Sequence, residues 1–141
     1  FNVHLQEGHS PSAQRARWAQ IRQLGEIIRR ARSPVIVVGD FNVIAETRVG
    51  ARRWRPTQEY LSMMTELGLA DASGPGHVTY DGTTQFARAL ARLERDPRSP
   101  HRRIDYMLYD PRSVERVSAK VLDFDNCSDH KPTFARFRLI G

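Results

Sequence analysis

Val35-Ile36-Val37-Val38-Gly39-Asp40-Phe41-Asn42 is the stretch from which the fold of this chain is read. Four β-branched residues in a row suit a strand buried on both faces, as in the middle of an α/β sheet. The run stops at Gly39, and a carboxylate and a carboxamide follow at once with Phe41 between them. Ligands of open α/β sheets bind beyond the carboxyl ends of the strands, so Asp40 and Asn42 stand where a site would be built. The same pair also suits an ordinary turn after a strand. The choice between the two rests on what recurs along the chain.

Upstream, residues 1–5 alternate enough for a short strand with His4 near its end, and 6–11 form a polar loop. Ser10 or Ser12 is placed to cap a helix that the spacing extends from 12 to about 32. Trp18, Ile21, Leu24, Ile27 and Ile28 form its apolar side, with Arg15, Arg17, Arg22, Arg29 and Arg30 mostly on the other. Strand, helix and strand make a parallel crossover. Downstream, Arg48 to Arg55 shows little periodicity and reads as a loop. Its four arginines around Trp54 suit either a phosphate grip or a solvated surface. Pro56 opens a second helix with Tyr60, Leu61, Met64 and Leu67 on its apolar face and Gly68 after its end. Residues 77–80 read as a short strand, and 81–100 as polar with a short helix at 86–93. Strands follow at 104–109, 114–122 and 133–139, with a loop at 124–131. There is no internal repeat and no linker, so residues 1–141 read as one domain or a piece of one.

Composition excludes little. A chain of 141 residues is long enough for one core. No apolar run approaches the roughly 20 residues needed to span a bilayer. The formal charge is +6, and only two of the 22 basic residues, Lys120 and Lys131, are lysines. Arginine suits bidentate phosphate contacts, but such a bias also follows from base composition, so nucleic acid, anionic lipid or neither fits. The single Cys127 rules out an intramolecular disulfide and any cysteine metal cluster. The chain opens on Phe1-Asn2-Val3-His4-Leu5, which reads as mid-strand with no initiator Met, and is expected to be the later part of something longer. No compartment is assigned.

Six polar residues stand beside buried strands rather than in surface charge runs: His4, Asp40, Asn42, Asp105, Asp129 and His130. Hydrolysing a phosphodiester takes a divalent cation, a base for the water and donors for the charged transition state. Carboxylates without cysteines favour a hard ion such as Mg²⁺.

Gly39-Asp40-Phe41-Asn42, Arg103-Ile104-Asp105-Tyr106 and Ser128-Asp129-His130-Lys131-Pro132 resemble, in order, three signature motifs of the endonuclease/exonuclease/phosphatase superfamily. Asn2-Val3-His4-Leu5 resembles a fourth, so the likeness covers essentially the whole chain. Thr79-Tyr80-Asp81, then Thr83-Thr84-Gln85, together with His4-Leu5-Gln6, is most similar to the neutral sphingomyelinase-like branch, which usually has asparagine where Gln85 stands.

The resemblance implies an α/β fold of the deoxyribonuclease I type, a two-layered β-sandwich flanked by helices in four layers, α/β/β/α. This chain would be its second half, the N-terminal half being absent, so that residues 1–141 are the C-terminal portion of a single domain. It further implies a Mg²⁺-dependent phosphodiesterase, with Mn²⁺ as the alternative ion, acting on a phospholipid headgroup or a nucleic acid. Asp40 would orient or deprotonate the attacking water and Asn42 would bind a phosphoryl oxygen. His130, held by a hydrogen bond to Asp105, would stabilise the transition state or transfer a proton. His4 would contact the phosphate or protonate the leaving oxygen, and Asp129 and Asp40 would lie at the metal. Family members also carry, near their start, an asparagine and a metal-binding glutamate that nothing here matches, Glu7 included. A missing segment or a second chain is expected to supply them, and the isolated chain to bind metal poorly. The competing reading is a truncated or degenerate domain that binds phosphate-rich partners without catalysis. If the catalytic reading holds, strands 35–39 and 104–109 share one sheet and bring Asp40, Asn42, Asp105 and His130 into one cleft.

Overall fold

The apolar run forms β2 (Ile36–Asp40), which lies between β1 (Asn2–His4) and β8 (Asp105–Tyr109) in a four-stranded sheet. The computed structural model describes residues 1–49, 53–75, 77–81, 101–122 and 128–140. β1 runs parallel to β2 and is joined to it through helix α1 (Pro11–Arg30), the expected crossover. β8 is antiparallel to β2, and β5 (Ala70–Asp71) follows at the other edge.

Register decides what each face carries. Val37 lies opposite Leu108, and Asp40 opposite Asp105. Side chains alternate along a strand, so Val37, Tyr106 and Leu108 share one face. Ile36, Val38, Met107 and Tyr109 share the other with Asp40 and Asp105. Against the first face pack Ile21, Leu24 and Ile28 of α1, with Met63 and Leu67 of α2 (Gln58–Leu67). This is the core, and each such side chain contributes about 1.5–3 kcal/mol by burial. On the second face Tyr109 meets Phe137 of β10 (Thr133–Leu139), with ring centroids 5.4 Å apart. β10 pairs antiparallel with β9 (Val114–Val121). Helices, sheet and a second sheet thus stack in layers, as an α/β sandwich requires. Ile36 and Val38 remain half-buried, so β2 is closed on one face and partly open on the other.

Several local readings need correction. Ser10 is the cap of α1, its Oγ accepting the Ala13 N–H at 3.1 Å, and the helix starts at Pro11 rather than residue 12. Arg17 is not on the solvent face: it is 1% exposed, because 17, 21, 24 and 28 form one helical stripe. Ile27, off that stripe, is exposed. The aperiodic stretch is not simply a loop, since β3 (Glu46–Val49) pairs with β4 (Arg53–Pro56) as a hairpin. Pro56 ends β4, and Thr57 caps α2 by accepting the Tyr60 N–H at 3.1 Å. In α2, Leu61 is exposed and Met63 takes the core position. Gly68 ends α2 with φ 65°, as its type suggests. The 77–80 strand shrinks to β6 (Tyr80–Asp81), paired with β7 (His101–Arg102). The expected helix at 86–93, Thr83-Thr84-Gln85 and Cys127 lie outside the described residues.

Candidate active site

The site starts from close backbone packing. Gly39 has φ 134°, and a Cβ there would lie 1.9 Å from the Val3 carbonyl oxygen, so only glycine lets β1 approach β2. Their parallel register then sets His4 beside Asp40, while the antiparallel register sets Asp105 beside Asp40 from the other side. Two carboxylates directly opposite repel. Two imidazoles answer that repulsion.

His130 Nδ1 lies 3.0 and 3.1 Å from the two oxygens of Asp105. Its Nε2 faces Asp40 Oδ2 at 3.9 Å, and His4 Nε2 stands 3.7 Å from the same oxygen. The hydrogen bond to Asp105, with lesser help from Asp40 and Asp129, lifts the His130 pKa from 6.5 to about 9. The ring is therefore an imidazolium at neutral pH, with Nδ1–H on Asp105 and Nε2–H toward the cleft. The Asp40 pKa is raised as well, which for a carboxylate disfavours the charged form. Burial, then the Asp105 charge, raises it from 3.8 to about 6, against the Asn42 N–H and the two histidines. A carboxylate near neutrality beside a fixed cation is equipped to take a proton from water.

The six residues singled out do not all meet. Asp40, Asp105, His130 and His4 converge, while His4 is 75% exposed and least constrained. Asn42 has φ 52°, and its backbone N–H donates to Asp40 Oδ1 at 2.7 Å while its Nδ2 donates to the Leu5 carbonyl at 3.0 Å. It ties the Asp40 turn to the end of β1 and keeps a second N–H for a ligand. Asp129 is buried, its carbonyl accepting the Asp81 N–H at 2.7 Å. It acts on His130 by charge and is not in the cluster that could share one ion.

Three positioning residues escaped the sequence reading. Thr79 is fully buried, and its Oγ1 accepts the N–H of both Ile104 and Asp105. Arg103 is a core cation: it pairs with Asp71 and with Glu46 (2.7 Å) and lies over the rings of Tyr60 and Tyr106. Its carbonyl accepts the Ala45 N–H at 3.0 Å, as Ile104 does for Phe41, fixing the loop that carries Asn42. Arg17 donates to the Gln6 and Gly8 carbonyls and to Glu59, holding the loop after His4 to both helices. Its place in the 17–21–24–28 stripe was the available signal.

Asp40, Asp105 and His130 offer ligand atoms within 4.8 Å of one another. Asp105 uses its oxygens on His130, and an imidazolium has no lone pair to give, which leaves Asp40 Oδ2 as the oxygen facing the cleft. A hard cation takes about six oxygens, so the described residues fit one edge of a Mg²⁺ shell and not the whole of it.

Comparisons with solved structures agree with this architecture. A magnesium-bound double mutant of β toxin from Staphylococcus aureus superposes with a TM-score of 0.64 at 17% identity, over 95% of this chain and 51% of that one. Sphingomyelinase C from Streptomyces griseocarneus gives 0.60 at 21% identity, over 95% and 51%. The 3′ phosphatase NExo from Neisseria, bound to product DNA hairpin, gives 0.64 at 18%, over 97% and 60%. The chain spans about half the length of the first two. No curated protein matches the sequence. The model of the Endonuclease/Exonuclease/phosphatase family matches residues 3–130. With the motif residues gathered at one sheet end and the match running over most of its length, the chain belongs to the endonuclease/exonuclease/phosphatase family.

Proposed function

We propose that this chain is the catalytic C-terminal portion of a divalent-metal-dependent phosphoester hydrolase, a phosphodiesterase. The observation that carries the reading is Asp40, a half-buried carboxylate with pKa about 6, set between His4 and an imidazolium that Asp105 holds in place. Family membership and the resemblance to a sphingomyelinase and a 3′ phosphatase support it.

In this reading Asp40 takes a proton from water as the water oxygen bonds to phosphorus. His130 Nε2–H and the free N–H of Asn42 hold the phosphoryl oxygens, which carry growing negative charge. The ester P–O bond breaks, and the exposed His4 protonates the leaving oxygen. Asp40 is the residue that would hold a metal, which would supply Lewis-acid charge neutralisation; the expectation that Asp129 also lies at the metal finds no support in the cluster. Mg²⁺ is favoured by the oxygen donors and by the magnesium-bound relative, with Mn²⁺ the alternative. The missing ligands would come from a segment or chain beyond residues 1–141. The substrate is a phosphodiester of a lipid headgroup or a nucleic acid.

Product release from sphingomyelin, plasmid DNA and a phosphoinositide with Mg²⁺, using the full-length protein and its His130→Ala variant, tests this. Turnover of one substrate that the variant loses supports the reading; no release from any substrate refutes it. The incomplete metal shell favours a second reading, a phosphate-binding domain without catalysis, which predicts retention of those ligands with none consumed.

A further inference from the structure

Asp105 and His130 lie 25 residues apart in sequence, yet both are hung from one buried residue. Thr79 is 0% exposed. Its Oγ1 accepts the Ile104 and Asp105 N–H groups, each at 3.1 Å. A hydroxyl oxygen has two lone pairs, so both are committed to the entry of β8. The main chain of the same residue donates to the Arg102 carbonyl at 2.9 Å and accepts the Lys131 N–H at 2.7 Å. Tyr80 extends the attachment, bridging to His130 and setting its ring edge-on to the imidazole at 5.3 Å.

We propose that Thr79 is a positioning residue, whose hydroxyl sets Asp105, and whose carbonyl sets Lys131 and so His130, at hydrogen-bonding separation. Taken as a catalytic device, this rests on the hydrolase reading above. The hydroxyl holds one partner and the backbone the other, so removing the hydroxyl releases Asp105 alone. Thr79→Val keeps the shape and strips two buried N–H groups of their acceptor. Thr79→Ser keeps the acceptor.

Three readouts test it. Amide exchange at Ile104 and Asp105 should accelerate in Thr79→Val and stay slow in Thr79→Ser. The downfield His130 Nδ1–H proton resonance should broaden or vanish in the valine variant and persist in the serine one. With a substrate in hand, Thr79→Val should lower kcat about tenfold to a hundredfold while KM moves less than about threefold. Exchange and resonance need no substrate, so they decide the placement of Asp105 even in a protein that hydrolyses nothing. Should the valine variant not fold, Thr79→Cys, with a weak sulfur acceptor, takes its place. A folded Val or Cys variant with unchanged exchange, resonance and kcat overturns the proposal. So does a Ser variant that loses the resonance, because packing of the methyl would then be what matters.

Discussion

Replacing Asp40 by Asn should stabilise the protein while abolishing its turnover. In the fold Asp40 ionises near 6 instead of 3.8, chiefly because it is buried and faces Asp105. At about 1.4 kcal/mol per pH unit, keeping it ionised at neutral pH costs the folded state about 3 kcal/mol. That figure is net of the attractions to His4 and His130 and of the Asn42 N–H. Asn preserves the last of these, since its Oδ1 still accepts the Asn42 N–H. The gain expected for Asp40→Asn at about pH 7.5 is therefore about 1–3 kcal/mol.

The sign fixes the window. A raised folded-state pKa means that the native protein binds more protons than the unfolded chain between 3.8 and about 6. Stability from this group is full below 3.8 and is lost as pH rises through about 6. The variant lacks that loss, so the two proteins converge at acid pH, diverge between 3.8 and about 6, and stay apart above that. Urea unfolding in EDTA at about pH 4 and about pH 7.5 measures the difference. An Asp40→Asn protein that is no more stable at about pH 7.5, or whose advantage is equal at both pH values, refutes the electrostatic argument. Turnover per folded molecule should fall at least about a hundredfold.

Asp105→Asn and His130→Ala should each lower kcat about a hundredfold, and the double variant little further, because a pair acting as a unit is non-additive; multiplying losses would sink the dyad. His130 binds its extra proton between 6.5 and about 9, so its stabilisation is full below 6.5 and fades through about 9; Asp105→Asn should flatten that decline in melts taken across the window. Gly39→Ala places a methyl 1.9 Å from the Val3 oxygen, so β1 should detach, read as rapid amide exchange at Leu5, whose N–H now donates to Asp40 O. A chelator should stop turnover and Mg²⁺ or Mn²⁺ restore it, with unchanged activity in EDTA counting against a metal.

Much of the site was legible because its residues sit at strand ends. Apolar patterning located β2, β8, β9 and β10 almost to the residue; β2–β8 pairing set Asp40 opposite Asp105, and the bridge from Tyr80 brought His130 to them. What escaped depended on partners distant in sequence. Arg17 looked like a surface residue until Glu59 and two loop carbonyls supplied its partners. Arg103 stood within a recognised motif, but its burial depends on Glu46 and Asp71, 57 and 32 residues away. The pairing of β3 with β4 carries no apolar alternation to detect. Thr79 was visible as a motif residue, yet nothing local reveals that its hydroxyl serves two amides of another strand.

The charge layout follows from the same distinction. Arg103 faces two carboxylates in the core, and burial of all three is sustained because each charge has a partner. At the cleft the count is reversed in kind: Asp105 is matched by His130 at 3.0 Å, while among the described residues the charge partners of Asp40 are imidazoles at 3.7 and 3.9 Å, beyond hydrogen-bonding distance, and its hydrogen bond comes from the neutral Asn42 N–H. Sheet register sets the two aspartates opposite each other, Gly39 lets β1 approach beside them, and Thr79 accepts the Asp105 N–H. One acid is thus fully satisfied and the other is not. The unsatisfied one is where a proton or a cation lowers the energy most, so under the proposed hydrolase reading Asp40, and not Asp105, is the carboxylate expected to react.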